Sequence, residues 1–357
     1  MNHFERIAQN LPKEGLDAVL LICAENRFYA SGFRSHGGDG AALITKDGAY
    51  FWTDMRYIED AQAQIQGARV SLIDRQNPYQ AVIADALRRH GVKRLGVDEA
   101  YLSHREYEFY RKKLPCELLD ATDLLVRLRA VKDPEELSRI KQAQRIAEAA
   151  LAEVLNDIRP GVTERFLAAR LVFFMLTHGA DNVSFDPIAI SGVKTSVPHG
   201  VPSDRQVQAG DFVTLDFGAL CGGYCSDMTR TVAVGHVTDE MAAVYDTVLR
   251  AQLAGIAAAR AGIPGCEIDA AARTVIEAAG YGDYFGHGFG HGLGVEIHEP
   301  PNANPTNDRP MPVGAVISAE PGIYLPGRFG VRIEDILMLE EGGCQNLTAA
   351  PKQLLVL

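Results

Sequence analysis

Short apolar runs alternate with stretches of helical period along the first third of the chain. Residues 17–23, 41–44, 50–53, 70–73 and 95–97 read as strands, with helices expected near 56–66, 78–91 and 103–114. That alternation predicts a small α/β domain over residues 1–125. The pattern changes at Val131-Lys132-Asp133-Pro134-Glu135-Glu136, where Asp133 suits an N-cap, Pro134 the first turn, and Glu136 completes a capping box. Leu137, Ile140, Ile146, Leu151, Val154 and Leu155 then give a long helix one apolar face, stopped around Pro160-Gly161. The second domain is expected over 126–357.

Within it, 212–217 and 228–234 are rich in Val, Thr and Phe and read as strands, separated by a glycine-bearing segment with a tight turn near Gly222. If this hairpin closes on a two-residue turn, opposed positions sum to an odd number. Asp216 then shares a sheet face with Asp227, directly opposite or on the near diagonal; an odd loop needs a bulge to do the same. Residues 331–339 read as a further strand with Arg332 and Glu334 on one face and Val331, Ile333, Leu337 and Leu339 on the other, interrupted by Asp335.

The two regions repeat each other. Ala209-Gly210-Asp211-Phe212-Val213-Thr214-Leu215-Asp216 aligns with Val313-Gly314-Ala315-Val316-Ile317-Ser318-Ala319-Glu320 at an offset of 104, and Pro160-Gly161 aligns with Pro264-Gly265 at the same offset. Each half adds a second acid, Asp227 or Glu334, so a pseudo-twofold packing would gather four carboxylates. Burying even one unpaired ion costs several kcal/mol, on the order of the whole stability of a domain. The pattern therefore calls for cations between them.

Residues 286–299 add imidazoles: Gly286-His287-Gly288-Phe289-Gly290-His291-Gly292-Leu293-Gly294 leads on to His298. Two histidines four apart suit a helical zinc motif, but glycine on alternate positions argues against a helix, at about 1 kcal/mol each relative to Ala. In an extended run His287 and His291 face one side, and the glycines let another backbone or a substrate approach. The spacing does not fit a dinucleotide-binding glycine motif.

These motifs, Leu215-Asp216-Phe217-Gly218, Ser226-Asp227-Met228-Thr229-Arg230-Thr231, the 287–298 run, Glu320-Pro321-Gly322 and Arg332-Ile333-Glu334-Asp335, resemble the metallopeptidases of the pita-bread fold. The likeness is to their Xaa-Pro branch, which contains prolidase and aminopeptidase P. The resemblance implies an α+β protein: a C-terminal pita-bread domain with an internal pseudo-twofold repeat, preceded by a smaller, creatinase-like α/β domain. It implies that Asp216, Asp227, His291, Glu320 and Glu334 bind two divalent ions. Asp227 and Glu334 would bridge both, Asp216 would hold one, and His291 with Glu320 the other. Oxygen-rich ligation favours Mn²⁺, with Co²⁺ or Zn²⁺ as alternatives. Glu320 would take a proton from the attacking water, His199, His287 and His298 would surround the substrate, and Arg332 would orient a ligating carboxylate. The implied activity is Xaa-Pro dipeptide hydrolysis, with aminopeptidase P action on longer peptides as the alternative. A creatinase-like hydrolase or a non-catalytic pita-bread binding module is set against the five ligands present.

Composition fits an enzyme of this kind. The chain has 357 residues, 47% hydrophobic and 23% charged, and a formal charge of −11 that disfavours nucleic acid and anionic membranes as partners. The start of the chain lacks the apolar run of a signal peptide, and no apolar stretch approaches membrane-spanning length, so a cytoplasmic enzyme is expected, while the family resemblance implies a homodimer. Six cysteines without regular spacing suit a reducing compartment, and Cys221 and Cys225 read as two reduced thiols. Thr53-Asp54-Met55-Arg56-Tyr57 resembles the Thr-Asp-x-Arg-Tyr segment of the family's amino-terminal domain. The glycine-rich 31–40 segment reads either as a surface connection between strands or as a loop leaning over an active site, the partner subunit's included.

Overall fold

The computed structural model describes residues 2–35 and 39–357. They form two units, Met1–Arg129 and Ala130–Leu357.

The first unit holds helices α1 (His3–Asn10), α2 (Ala24–Ser31), α3 (Ile58–Gln64), α4 (Tyr79–Arg89), α5 (His104–Lys113) and α6 (Thr122–Ala130). Its strands are β1 (Ala18–Leu21), β2 (Ala41–Thr45), β3 (Gly48–Thr53), β4 (Arg69–Leu72), β5 (Arg94–Val97) and β6 (Glu117–Asp120). The strands form one mixed sheet in the order β4-β3-β2-β1-β5-β6. Four of these elements have no counterpart in the sequence reading. Helix α2 buries Asn26 and Arg27 along with Phe28, Tyr29 and Ala30, so no clean apolar stripe marks it in the sequence; Arg27 donates to the carbonyls of Ile22 and Gly40. Strand β6 is an edge strand of four residues, two of them charged. Helix α1 is a short terminal helix capped by Asn2, which accepts from the Glu5 amide at 2.9 Å, and α6 follows β6 directly. The 31–40 segment leaves α2, not a strand, through Gly32 at φ 69°; its His36, Gly37 and Gly38 lie outside the described residues.

The second unit opens with α7 (Pro134–Val154) and α8 (Glu164–Thr177), then β7 (Asn182–Val183), β8 (Ile188–Ser191), β9 (Phe212–Phe217), β10 (Ala219–Cys221), β11 (Tyr224–Cys225) and β12 (Met228–Ala233). Next come α9 (Asp239–Ala258), α10 (Gly265–Ala278), β13 (Gly290–Gly292), β14 (Glu299–Ala303), β15 (Val316–Ala319), β16 (Gly322–Leu325), β17 (Phe329–Arg332), β18 (Asp335–Glu340) and β19 (Gly343–Asn346). Asp133 caps α7 as expected, accepting from Glu135 N at 2.8 Å and Glu136 N at 2.9 Å, while Glu136 returns a bond to the Asp133 amide.

The duplication is visible in the packing. Two helices precede each half-sheet, and strand order β8-β9-β12 repeats as β13-β15-β18. One detail of the alignment is corrected. Gly161 and Gly262 are the matching glycines, at φ 94° and 84°, donating to Val207 O and Met311 O. Bridges Thr163↔Gln206 and Pro264↔Pro310 follow them. The offset at the helices is therefore 101 and becomes 104 at the strands; the second Pro-Gly pair is a coincidence of composition, since Gly265 already belongs to α10.

A second correction concerns 331–339, which is two strands. β17 pairs with β16, β18 pairs with β15, and the chain changes partner at Ile333-Glu334. The alternating pattern runs through the break because both sides pack into the same core, where Val331, Ile333, Leu337 and Leu339 are all fully buried.

Candidate metal centre

The first ligand pair is set by a hairpin. Gly222 and Gly223 both have positive φ, 55° and 79°, as a type I′ turn requires. The register Cys221↔Tyr224 continues in phase to Met228↔Phe217 and Thr229↔Asp216. Asp216 therefore faces the same side as Thr229, and Asp227 lies on the diagonal. Between the two ladders only glycine fits at 218, where a Cβ would stand 1.9 Å from Ser226 O.

The second half supplies the rest. Strand β13 threads between β14 and β15 so closely that a Cβ at Gly290 would meet Ser318 O at 1.9 Å, and one at Gly292 would meet Glu299 O at 2.2 Å. Those glycines hold His291 against Glu320, Nε2 to Oε1 3.1 Å, and near Asp227, Nε2 to Oδ2 3.6 Å. His291 Nδ1 donates to Gly292 O at 3.1 Å, which leaves Nε2 facing the acids. Ser318 Oγ accepts from the His291 amide and donates to Glu320 Oε1 at 2.8 Å.

Glu334 reaches the same point from the break between β17 and β18. Thr229 Oγ1 donates to Glu334 Oε2 at 2.7 Å, and the Glu334 amide donates to Thr229 O at 3.1 Å. Arg332 lies beside it, fixed by Asp216 at 2.5 Å, Thr229 Oγ1 at 3.1 Å and Tyr324 Oη at 2.8 Å. Beneath, Arg230 is buried against Asp335 at 2.9 Å, which also takes Lys352 at 2.6 Å. Thr229, Ser318, Tyr324 and the Arg230–Asp335 pair are functional neighbours that the sequence reading missed. The hairpin parity already placed Thr229 opposite Asp216; the others carry no spacing signal.

All five expected ligands thus converge. Ligand atoms of Asp227, His291 and Glu334 lie within 4.8 Å of one another. Asp227 Oδ1 and Glu334 Oε1 are buried without a hydrogen-bond partner. Two buried carboxylate oxygens without partners, in residues whose ligand atoms come so close, suit a divalent cation. The electrostatics agree. Burial and the facing carboxylates push Asp227 and Glu334 well above the usual carboxylate range. Burial alone would lower His291, but Glu320 and Asp227 carry it up to about 9, while burial acts against, and His291, His287 and Arg332 prevail in, holding Glu320 at about 2. A proton on His291 here does part of what a cation would do.

The centre floors a cleft of about 1110 Å³, lined also by Phe185, Ile188, Ile297 and Tyr284. His199, His287 and His298 all line it. His298 stacks edge-on against His291 at 4.3 Å between ring centroids. His287 Nδ1 donates to Gly288 O at 2.8 Å, so Nε2 accepts from Tyr324 Oη at 2.9 Å; burial pushes its pKa down and keeps it neutral. His199 is exposed on the rim. The six cysteines are free, Cys221 and Cys225 among them. Among the described residues no helix is long and apolar enough to cross a membrane.

Comparison with known proteins places the chain in a family. Residues 138–341 match the model of metallopeptidase family M24, and residues 4–131 match the creatinase/prolidase N-terminal domain. An uncharacterized peptidase of Bacillus subtilis is 40% identical over 99% of both chains. The structure of an Xaa-Pro dipeptidase from Bacillus anthracis superposes with a TM-score of 0.94 at 39% identity, covering 99% of each chain. An X-Pro aminopeptidase from Thermotoga maritima gives 0.92 at 36%, covering 100% of each.

Proposed function

The chain belongs to metallopeptidase family M24, as a hydrolase of its Xaa-Pro branch, and on that premise we propose that it cleaves the peptide bond before proline in Xaa-Pro dipeptides. The observation that carries the metal-dependent reading is the pair of orphaned buried oxygens, Asp227 Oδ1 and Glu334 Oε1. In this reading Asp216, Asp227, His291, Glu320 and Glu334 would hold two divalent ions, Mn²⁺ before Co²⁺ or Zn²⁺, and Asp227 and Glu334 would serve both. Bound ions of this kind supply Lewis acidity and a water of lowered pKa.

The chain's own groups do the rest. Glu320, with a carboxylate oxygen on the cleft, receives the proton of the attacking water. Arg332 holds Asp216 in orientation, and Tyr324 keeps His287 in one tautomer. His298 and His199 border the space for the proline ring. A proline after the scissile bond gives a tertiary amide without an N–H. The proposed site needs no such donor.

One observation favours the longer-peptide alternative. Arg332 is the one Arg or Lys lining the cleft among the described residues, and it is committed to Asp216 and Tyr324, so the cleft, which Asn302 and Asn304 also line, offers no uncommitted cation for a dipeptide's terminal carboxylate. Assays of Mn²⁺-loaded enzyme on Ala-Pro, Ala-Ala and a longer Ala-Pro peptide separate the cases. Ala-Pro should be hydrolysed and Ala-Ala poorly. Equal kcat/KM for those two overturns the proline assignment, and preference for the longer peptide moves the enzyme to aminopeptidase action. The working form is read as a cytoplasmic homodimer, which light scattering of the purified chain checks.

A further inference from the structure

His199 is exposed and its ring has no hydrogen bond among the described residues, so its position depends on the backbone that carries it. That backbone is the segment from Ser191 to Ser203, and both of its ends meet on one side chain. Glu164, the first residue of α8, is fully buried. Its Oε1 accepts from Ser191 N at 2.8 Å and Ser191 Oγ at 3.0 Å; its Oε2 accepts from Ser203 N at 3.0 Å, Ser203 Oγ at 2.7 Å and Lys194 Nζ at 2.6 Å. Lys194 in turn donates to Val201 O at 2.7 Å and Ser203 Oγ at 2.9 Å, across the base of the turn that presents His199. The far side of the loop rests on the second repeat, with Gly330 N donating to Thr195 Oγ1 at 2.8 Å. A carboxylate with five donors, at the centre of no ligand set, has no chemistry of its own to perform here. What it fixes is the distance between the two ends of a loop.

We propose that Glu164, clasped to Lys194, is a positioning residue that sets His199 in the cleft for Xaa-Pro hydrolysis. The proposal rests on the functional reading above, since His199 is taken to border the substrate there. A buried carboxylate held by five donors, a partly exposed ammonium among them, fixes one geometry, whereas a solvated loop samples many. Displacing a substrate-facing group by an ångström is enough to cost about 100-fold in rate.

The test uses the full-length Mn²⁺-loaded enzyme, Glu164→Gln and Lys194→Met, each also combined with His199→Ala. Both single variants should lose about 10- to 100-fold in kcat/KM on Ala-Pro, keep the metal content of the parent by elemental analysis, and exchange the amides of 192–202 faster. In the His199→Ala background neither should cause a further loss, because a residue that acts only through His199 has nothing left to act through. Losses that add to that of His199→Ala, unchanged exchange in 192–202, or loss of metal together with activity overturn the clasp. Lys194→Met, at the partly exposed end of the pair, decides the matter should Glu164→Gln fail to fold. A parent enzyme that leaves Ala-Pro intact refutes the functional reading instead, and the exchange measurement then still judges whether Glu164 holds the loop.

Discussion

Asp227 and Glu334 differ from Asp216 in what surrounds them. Burial raises all three, but the Arg332 guanidinium pulls Asp216 back, whereas burial with Asp216 and Glu320 beside Asp227, and with Asp227, Glu320 and Asp216 beside Glu334, pushes those two well above the usual carboxylate range and favours their neutral forms. An incoming dication must displace those protons, so affinity should rise with pH. Titration calorimetry with Mn²⁺ in two buffers of different ionisation enthalpy at one pH should show proton release; identical heats would contradict it. Asp227→Asn keeps the shape but removes a charge, and should lower kcat by orders of magnitude with metal content reduced and the fold retained. Full metal occupancy with normal turnover would show the ligand set to be wrong. The gathering of four acids was legible in the sequence because Asp216 and Glu320 repeat at a fixed offset and each is followed by a second acid, whereas the full proposed ligand set, His291 included, came from the family resemblance. Ser318 and Tyr324 were not legible, since a lone hydroxyl in a strand is equally at home facing a neighbour's backbone.

Strand β13 shows what the glycines near His291 are for. Gly290→Ala places a methyl 1.9 Å from Ser318 O, and separating β13 from β15 to admit it should cost at least about 1–3 kcal/mol. Denaturant melts should reveal that loss, whereas Gly286→Ala, with nothing within 4 Å of its Cβ, should leave stability nearly unchanged. The α8 clasp adds a pH dependence. Burial acts to raise the Glu164 pKa, but Lys194, Ser203 and the backbone amides hold it below its ordinary 4.5. A depressed carboxylate stabilises fully above that ordinary value and loses its contribution as pH falls through the folded one. The melting-temperature gap between the parent and Glu164→Gln should therefore be constant above pH 4.5 and close below it. A gap that widens in acid would reverse the sign. Hairpin parity and the α7 capping box were readable because turn chemistry and caps are local. The break at Ile333-Glu334 was not, because a strand that changes partner without leaving the core keeps its alternation.

At the scale of the whole chain, the acids of one repeat meet those of the other, and without added cations that seam is held by protons on Asp227 and Glu334 and by the His291 and Arg332 charges alone. Chelation should lower the melting temperature and Mn²⁺ restore it; at ligand 100-fold above Kd the gain is about 2.7 kcal/mol, or roughly 5–10 °C for a unit of this size. An unchanged melting curve would mean the seam holds without metal. The duplication was readable at its strands, where function fixes the spacing, and misread at its helices, where loop length is free to drift by three residues. The small unit's helix α2 escaped notice because its buried face carries Arg27 and Asn26.

The division of ligands between repeats also governs when hydrolytic power first arises. Of the proposed ligands, Asp216 and Asp227 are synthesised before His291, Glu320 and Glu334, so a chain that stops within the second repeat would carry an incomplete set. On that proposed set, cation capture would wait until the chain has been made as far as Glu334, and a fragment ending earlier would lack one of the acids that close the centre.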